Sequence, residues 1–325
     1  MQIAFLISSA IVVRPTWTTA HLAHAALREG HSVYFIEPTS MEVTIQGRVL
    51  VNAYVVDALL ESPTAVACSL ANRRLTRRYI DVGSLDLLLM RANPLTNTVI
   101  NLALMAAERG VRVVNDPTGI ARTRSKTWLA SLSDVPSPPT LVTSDPTSAR
   151  IFAENHPGGV VVKPALGSGG RGVMMIRQAS RVPAAVLDVA RAQPGPVVVQ
   201  AYLARADEGE KRIFWVNGQI VGAYLRKRAP GAFHHNLQRG GQPEPTDITA
   251  MDRALCAAIT PHLTRNGIVL AGLDIIGDTL IECNTLNPGG IHYAETFRGR
   301  DADSIAALTL QLITRSWKTP EVKHA

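Results

Sequence analysis

One segment, residues 272–291, places oxygen-bearing side chains inside a strongly apolar frame. Short runs of isoleucine and leucine lie on both sides of the Gly-Asp pair at residues 277–278, and this pattern predicts a β-hairpin. Glu282 and Asn284 are two residues apart, so both side chains point to one face of a strand. Asp274 can join them from the partner strand. A hairpin that combines an apolar frame with three converging oxygen ligands constrains the fold more than any other segment.

The register of this hairpin decides whether the three side chains converge. If the turn contained only residues 277–278, Asp274 would pair with Ile281 and point away from Glu282. A three-residue loop, residues 277–279, instead sets Asp274 opposite Glu282 on one face. The sequence therefore predicts that loop together with a β-bulge.

These three side chains are candidate metal ligands. Mg²⁺ prefers carboxylate and amide oxygens and usually keeps phosphate oxygens in its coordination shell, so Asp274, Glu282 and Asn284 suggest a metal–nucleotide site. A second interpretation is equally open from the hairpin alone. In it Asp274 ends a strand, Asp278 is a turn residue, and Glu282 and Asn284 face solvent.

The composition is that of a globular protein large enough for two or three subdomains, with 325 residues, 46% of them hydrophobic and 18% charged. The net charge of +7 could suggest a nucleic-acid partner. However, the basic residues are scattered and only 5% of the chain is aromatic, so a base-stacking surface is poorly supported. We expect no nucleic-acid partner, because small polyanions fit this charge as well.

The cysteines and the apolar start of the chain bear on the compartment. Cys68, Cys256 and Cys283 form neither a CxxC pair nor an even framework, which predicts reduced thiols in a cytoplasmic protein. The apolar residues 3–13 lack a basic leader and are too few to span a membrane. We therefore expect a first buried strand there, and no membrane partner.

The pattern of strands and helices divides the chain into three parts. Residues 1–120 alternate strand-like and helix-like runs with glycine after the helices, which predicts a doubly wound, parallel α/β domain. No glycine-rich dinucleotide motif follows the first strand, so the nucleotide is not expected in this domain. Residues 121–198 predict a small central domain, and residues 199–325 a third domain. The predicted strands are 3–7, 32–36, 85–90, 111–114, 160–164, 173–176, 197–203, 212–216 and 220–225, and the predicted helices are 19–29, 98–109, 126–132, 247–266 and 302–316.

Four glycines fall within residues 167–172, between two predicted strands. The segment satisfies G-x-G-x-x-G, but a dinucleotide loop must lead into a helix, and a β-branched and Met run follows here. A P-loop is excluded as well, since no Lys-Ser or Lys-Thr ends the segment. A loop whose N–H groups cover phosphates remains, against the alternative of an ordinary mobile hairpin. The candidate nucleotide-binding residues of this loop are Gly167, Ser168, Gly169 and Gly170.

Four basic residues are candidates for binding anions. Lys163 precedes the glycine loop, where its ammonium can reach the α- or β-phosphate, and Lys126 lies on a helix of the same domain, although lone lysines are most often solvated. Arg212 and Arg226 lie on strands of the third part, where a guanidinium can clamp a carboxylate or acyl phosphate or simply keep a strand end soluble. The histidines at residues 234–235 point to opposite faces and lack a third ligand, so we predict loop residues there.

Taken together, these residues resemble the ATP-grasp superfamily and, within it, the bacterial glutathione synthetases. The resemblance covers nearly the whole chain. The segments that carry it are residues 85–94, 114–117, 126, 162–164 with the glycine loop, 200–203, 210–212, 236–237, 240–241, and 272–278 with 282–284. The last of these is the most specific.

The resemblance implies an α/β (α+β) ATP-grasp fold, with an N-terminal doubly wound α/β domain, a small central lid domain and a C-terminal antiparallel-sheet domain. It also implies an ADP-forming carboxylate–amine ligase, in which a carboxylate attacks the γ-phosphate of ATP and an amine displaces phosphate from the acyl phosphate. The implied cofactors are ATP and two Mg²⁺ ions, which Mn²⁺ could replace. The implied partners are small-molecule acids and amines, with the chain forming a homodimer or homotetramer.

The same resemblance assigns residue roles. Lys126 and Lys163 would bind phosphates, and Glu210 the ribose. The adenine edge would be read by Gln200, Ala201, Tyr202 and Leu203. The metal ligands would be Asp274, Glu282 and Asn284, and the residues that stabilise the transferring groups would be Arg212 and Arg226. The substrate-binding residues would be Arg91, Asn236, Asn287, Gly289 and Gly290.

Two segments depart from the family pattern. Residues 287–291 read Asn-Pro-Gly-Gly-Ile where glutathione synthetases have a Ser-Pro-Thr type segment, and residues 8–17 lack the usual Asp-Pro. Losing hydroxyl donors should change what is recognised, so we expect that free glycine is not the best acceptor. A relative that joins other amino acids or peptides stays open. An alternative from another class is a nucleotide-binding regulatory protein that lost the reaction, against which the intact arginines and metal ligands argue.

Overall fold

The computed structural model describes residues 1–167, 169–299 and 304–315, which form three sheets with helices packed against them. The first sheet contains β1 (Gln2–Leu6), β2 (Ser32–Ile36), β3 (Met41–Val43), β4 (Val49–Val56), β5 (Thr76–Asp81), β6 (Leu87–Met90) and β7 (Arg112–Val114). Its helices are α1 (Thr18–Arg28), α2 (Pro63–Ala71) and α3 (Asn97–Glu108). The strands β2, β1, β6 and β7 are parallel neighbours in that order, as the alternation of strands and helices predicted.

The antiparallel part of this sheet was not predicted. β4 pairs antiparallel with β2, β3 and β5, which extends the parallel core by three strands. β5 reads Thr-Arg-Arg-Tyr-Ile-Asp and is largely exposed, so it lacks the apolar alternation that marks a half-buried strand. Its place in the sheet comes from pairing with the long, buried β4 rather than from its own sequence.

The second sheet contains β8 (Thr140–Thr143), β9 (Val160–Pro164), β10 (Met174–Ile176) and β11 (Val197–Ala201), in the order β10-β9-β11-β8. Its neighbouring helices are α4 (Pro117–Thr123), α5 (Lys126–Ala130), α6 (Pro146–Glu154) and α7 (Val182–Ala192). All its strand pairs are antiparallel. The sheet continues to residue 201, past the domain boundary predicted at residue 198, and the division into domains stays a prediction.

The third sheet contains β12 (Glu210–Val216), β13 (Gln219–Lys227), β14 (Gln242–Glu244), β15 (Leu270–Ile276) and β16 (Thr279–Asn284), in the order β14-β13-β12-β15-β16. It is antiparallel throughout. The helices that follow or cover it are α8 (Ala250–Arg265), α9 (Ile291–Phe297) and α10 (Ile305–Arg315). The predicted ends of the last helix, residues 302–303 and 316, lie outside the described residues.

The hairpin β15–β16 has the predicted pairing but not the predicted loop. Asp274 lies opposite Glu282, and the register shifts between Asp274 and Ile275, so the bulge exists. The prediction of a three-residue loop was wrong, because Ile276 pairs with Thr279 and only two residues form the turn. Gly277 has φ 63° and provides the backbone conformation that a two-residue hairpin turn requires. The extra residue therefore lies inside β16 rather than in the turn.

The apolar cores show which parts pack together. One cluster joins the first sheet to the third and to the last helices, with Phe5 of β1, Phe214 of β12 and Ile305 of α10 among its fully buried members. The second sheet has a cluster of its own, built from residues 149–199. A separate core allows this sheet to move as a unit against the rest. Every helix in the described part of the chain is too short or too polar to cross a membrane.

Candidate functional site

Two adjoining cavities lie around the hairpin. The first lies between the second and third sheets and contains about 1040 Å³ of open space, including its mouth. The predicted residues that line it are Lys126, Lys163, Gly167, Gly169, Gly170, Gln200, Ala201, Tyr202, Leu203, Glu210, Arg212, Arg226, Asn236, Asp274, Glu282 and Asn284. The second cavity adjoins it and is lined by Arg91, Asn236, Asn287, Gly289 and Gly290 together with the start of α1. The predicted site residue Ser168 lies outside the described residues.

A row of side chains crosses the third sheet. Register places Arg212 of β12 opposite Asp274 of β15, and Asp274 opposite Glu282 of β16. Directly opposed residues of an antiparallel pair share a face, so the row is a consequence of strand pairing. A neighbouring row pairs Glu210 of β12 with Arg226 of β13. The sheet thereby collects two arginines and three carboxylates on one face.

Asp274 is the centre of this group and is 3% exposed. Arg212 donates from Nη2 to Oδ2 at 2.8 Å and from Nε to Oδ1. Arg226 donates to the same Oδ1, and Asn284 donates from Nδ2 to Oδ2 at 3.0 Å. Both carboxylate oxygens therefore carry two donors each. Gly272 leaves the space for this arrangement, since a Cβ there would lie 3.0 Å from Arg212 Nη1.

The charges of this group stabilise one another against burial. Burial alone would raise the pKa of Asp274, but Arg212 and Arg226 hold it below its usual range. Burial likewise disfavours the charged arginines, yet Asp274 raises the pKa of both. Glu210 differs, because burial raises its pKa to about 7 even though it pairs with Arg226. Glu210 can therefore accept a hydrogen bond, or donate one when protonated, near neutral pH.

His235 is a residue of the site that was not predicted from the sequence. It lies in a loop, as predicted, but it is 6% exposed and lines the first cavity. Its Nε2 lies 2.7 Å from the Ala206 carbonyl oxygen, and its Nδ1 lies 3.7 Å from Glu210 Oε2. Its burial depends on tertiary packing, so the His-His pair gave no local signal for it.

Lys126 and Lys163 both line the first cavity. Lys163 is buried, and its Nζ donates to Gln200 Oε1 at 2.8 Å. Burial lowers the pKa of Lys163 to about 8. Lys126 Nζ lies 3.3 Å from Glu282 Oε1 and donates to the Gly167 carbonyl oxygen at 3.1 Å. Lys126 thus links α5 to both the glycine loop and the hairpin.

The backbone at residues 200–203 offers fewer free groups than the sequence suggested. The amide of Ala201 donates to the Pro139 carbonyl oxygen at 2.9 Å, and that of Tyr202 donates to the Gly159 carbonyl oxygen at 3.0 Å. The Leu203 amide, by contrast, has no backbone acceptor among the described residues. A base edge would therefore be read mainly by the Leu203 amide and nearby carbonyl groups.

The backbone conformation of the glycine loop suits a segment that closes over a ligand. Its described glycines all have positive φ, with Gly167 at 139°, Gly169 at 71°, Gly170 at 69° and Gly172 at 69°. Glycine adopts this region without steric cost and has many conformers to lose when a loop closes.

We expect bound nucleotide to protect this loop from protease. Trypsin should cleave after Arg171 in the free protein, and an ATP analogue with Mg²⁺ should slow that cleavage, because a closed loop cannot enter the protease. Cleavage after the exposed Arg74 is the internal control and should not change. Equal cleavage after Arg171 in both states would count against a covering role.

The segment 287–290 forms one wall of the second cavity. The Gly289 carbonyl oxygen accepts from Arg212 Nη1 at 3.1 Å, and the Pro288 carbonyl oxygen accepts from Arg91 Nη2 at 3.0 Å. A Cβ at Gly290 would lie 2.5 Å from Tyr224 Oη, so this position has room for glycine alone. The glycines therefore allow a close approach to the third sheet as well as opening space.

The oxygen-rich face of the hairpin suits a divalent cation. Glu282 has Lys126 as its ion-pair partner among the described residues, and its side chain is 28% exposed towards the cavity. A carboxylate with free lone pairs next to the Asn284 amide is the donor chemistry that Mg²⁺ prefers. Asp274 could join them only by exchanging part of its contact with Arg212 and Arg226.

Comparison with known proteins decides the family. A model described as "Prokaryotic glutathione synthetase, N-terminal domain" matches residues 1–121, and one described as "Prokaryotic glutathione synthetase, ATP-grasp domain" matches residues 125–299. The chain belongs to the prokaryotic glutathione synthetase family. The protein is an ADP-forming, ATP-dependent carboxylate–amine ligase. Its family uses ATP with a divalent metal and acts on small molecules. The predicted ATP-grasp fold and the predicted enzyme class are confirmed.

Relatives match over most of the chain. The glutathione synthetase of Mesorhizobium japonicum is 30% identical over 295 residues, which is 89% of this chain and 90% of the relative. That of Brucella melitensis is 33% identical over 232 residues, 70% of this chain and 73% of the relative. The crystal structure of a D-cycloserine synthetase is similar with a TM-score of 0.66 and 19% identity, covering 95% of this chain and 99% of that one. This last likeness concerns the fold alone.

Proposed function

We propose that the protein joins an acid to an amine through an acyl phosphate formed where the two cavities meet. The observation that carries the proposal is the position of Arg212 and Arg226, which line both cavities from the buried face of the third sheet. ATP in the first cavity and an acid in the second would meet at these guanidinium groups. Phosphoryl transfer needs mainly positioning and neutralisation of negative charge, and two arginines provide both.

The chain's own residues would position the nucleotide. Lys163 and Lys126 would hold phosphate oxygens, while the glycine loop covers them with backbone N–H groups. Glu210 would bind the ribose hydroxyl groups, and the Leu203 amide would read the adenine edge. Gln200 would orient Lys163, to which it is already hydrogen-bonded.

The reaction would proceed in two balanced steps. A carboxylate oxygen of the acid attacks the γ-phosphorus, the bond to the bridging oxygen breaks, and ADP leaves. The amine then attacks the acyl carbon, phosphate departs, and the amine gives up a proton as the amide forms. Arg212 and Arg226 would stabilise the oxygens that gain charge in both steps.

Two Mg²⁺ ions, or Mn²⁺ in their place, fit the donor set of Glu282, Asn284 and Asp274. When bound, such ions would neutralise phosphate charge and hold the γ-phosphate in place for attack. The chain's contribution is to aim these oxygens into the cavity from one face of β15 and β16.

The acid and amine would be bound by Arg91, Asn236, Asn287, Gly289 and Gly290. Two relatives carry the name glutathione synthetase, so γ-glutamylcysteine and glycine are the first pair to test. The wall at residues 287–290 offers carbonyl and N–H groups but no hydroxyl donor, and a site without a matching donor discriminates poorly against larger acceptors. We therefore propose that an amine larger than glycine is the preferred acceptor.

A phosphate-release screen tests both parts of the proposal. Acids labelled with ¹⁸O in the carboxylate are incubated with ATP, Mg²⁺ and a panel of amines from glycine to dipeptides, and products are identified by mass spectrometry. We expect one ¹⁸O to appear in the released phosphate, because the acyl phosphate passes a carboxylate oxygen to phosphorus. Unlabelled phosphate would exclude that intermediate, and a clear preference of kcat/KM for glycine would contradict the proposed acceptor.

We also propose that the protein is cytoplasmic and forms a homodimer or homotetramer. The compartment follows from three free cysteines, of which Cys256 and Cys283 are buried with their thiol pKa raised by burial. The oligomer rests on family resemblance, and light scattering during size-exclusion chromatography would test it.

A further inference from the structure

The charged residues of the second cavity all have one sign. The ionisable side chains that line it in the described part of the chain, apart from two tyrosines, are Arg91, Arg171, Arg212 and Arg226. No aspartate or glutamate among the described residues lines it. The part of residues 8–17 that lines it consists of Ser8, Ser9, Val12, Val13, Thr16 and Trp17, and contains no acid. Arg212 and Arg226 are paired with Asp274 and Glu210 behind the cavity wall, but an ammonium group in this cavity would meet no carboxylate among the described residues that line it.

Arg91 is a buried cation that pairs with no carboxylate in the described part of the chain. It is 5% exposed, and its Nε donates to Thr19 Oγ1 at 3.1 Å while Nη2 donates to the Pro288 carbonyl oxygen. Its Nη1 has no hydrogen-bond partner among the described residues, and burial lowers the pKa of Arg91 to about 9. Since an unpaired buried charge is costly, an anion in the cavity next to the Arg91 guanidinium would be favoured.

The first turn of α1 adds positive potential at the same end of the cavity. The helix begins after Trp17, which makes no side-chain capping bond, and Trp17, Thr18 and Thr19 all line the cavity. Uncapped N–H groups at the start of an 11-residue helix attract anions. Thr19 connects the two features, because its hydroxyl accepts from Arg91. The buried guanidinium and the helix start thus point to one subsite.

Apolar side chains also line the cavity, beside the hydroxyl groups of Ser8, Ser9 and Thr16. Val12, Val13 and Trp17 line it, and Trp17 is 36% exposed. An apolar chain between two anionic ends would bury surface against the apolar side chains, whereas an ammonium would lose hydration there and meet no carboxylate among the described lining residues.

We propose that the second cavity takes an acid with a second carboxylate, held by Arg91 and the first turn of α1, and with no ammonium group at that end. The proposal rests on the proposed function in one respect, that the acid occupies this cavity with its reacting carboxylate at Arg212 and Arg226. The acid would be an elongated dicarboxylate rather than a zwitterion.

Three compounds separate the contribution of the remote carboxylate from that of the remote ammonium. γ-Glutamylcysteine carries both groups at its remote end, glutarylcysteine keeps the carboxylate without the ammonium, and 4-aminobutyrylcysteine keeps the ammonium without the carboxylate. Calorimetric titration of the full chain with ADP and Mg²⁺ present should rank glutarylcysteine first and 4-aminobutyrylcysteine last, at least about tenfold apart. Equal affinities, the reverse order, or no binding of glutarylcysteine would each overturn the proposal.

Two variants test which residues cause the preference for a carboxylate over an ammonium. Arg91→Gln should bring the affinities for glutarylcysteine and 4-aminobutyrylcysteine within about threefold, because the charge that distinguishes them is gone. Ser9→Asp should do the converse by adding the missing acid, and should favour γ-glutamylcysteine over glutarylcysteine, whereas the uncharged control Ser9→Asn should not. Ser9 lines the cavity and is independent of the Arg91 contacts, so this pair answers the question even if Arg91→Gln fails to fold.

Binding and turnover distinguish this inference from the proposed function. If glutarylcysteine binds as expected but no acid yields phosphate with any amine, the ligase proposal fails while the subsite stands. If ¹⁸O transfer occurs with γ-glutamylcysteine and the order of affinities is reversed, the ligase proposal stands and the proposed subsite fails.

Discussion

The Glu282→Ala variant is expected to lose more than nine-tenths of its turnover. Glu282 faces the cavity from the edge of the third sheet, and it is the carboxylate of the hairpin that is not saturated by arginine. If it binds the divalent cation, water cannot replace it without displacing the ion from the phosphates. A tenfold loss corresponds to about 1.4 kcal/mol of the activation barrier.

Nucleotide binding without metal should survive in this variant. Lys126 Nζ lies 3.3 Å from Glu282, so the substitution frees an ammonium group for phosphate oxygens. We would compare kcat with Mg²⁺ and ADP affinity in EDTA, using Glu244→Ala as the control because Glu244 is an exposed glutamate of the same sheet. Turnover above a tenth of the unmodified value would make the metal assignment wrong.

The two-residue repeat of a β-strand was enough to predict which side chains of the hairpin share a face. It was not enough to predict the length of the turn. Glu282 and Asn284 share a face because they are two residues apart, and a register that faces Asp274 to Glu282 requires one extra residue. Sequence alone cannot say whether that residue enters the turn or a strand. Gly277 favours a tight turn, so the extra residue lies within β16.

The partners of Asp274 could not be predicted for a different reason. Arg212 and Arg226 were recognised as anion-binding residues, but their contact with Asp274 depends on the register of β12 against β13 and β15. Such long-range pairing is set by how the sheet buries its apolar face, not by local spacing. The same applies to Arg91, whose buried position depends on Thr19 and Pro288 from distant segments.

Local propensity predicted most of the parallel core but missed the strands at residues 41–81. β1 and β2 are apolar runs bounded by helices, and they were recognised nearly to the residue. β3 and β5 are exposed edge strands with charged residues, which is a composition that edge strands share with loops. Only their pairing with β4 identifies them.

The Asp274→Asn variant is expected to lower the free energy of unfolding by about 3–5 kcal/mol, the usual cost of breaking a buried ion pair. Asp274 is the carboxylate that pairs with Arg212 among the described residues, and it shares Arg226 with Glu210. Asparagine keeps the shape but leaves two guanidinium groups with one counter-ion inside the protein. Urea unfolding without metal measures this loss, and Asp278→Asn in the exposed turn is the control.

The pH dependence of this loss gives an independent check. Because the arginines hold the pKa of Asp274 below its usual value, its stabilisation is complete above the unfolded pKa of about 4 and disappears as pH falls through the folded pKa. The difference in stability between Asp274→Asn and the unmodified protein should therefore shrink as the pH falls below about 4. Adding Arg212→Met to Asp274→Asn should restore part of the stability, since it removes the unpaired charge. A loss that is unchanged in acid, or a double variant less stable than Asp274→Asn, would show that the ion pair does not hold this face of the sheet together.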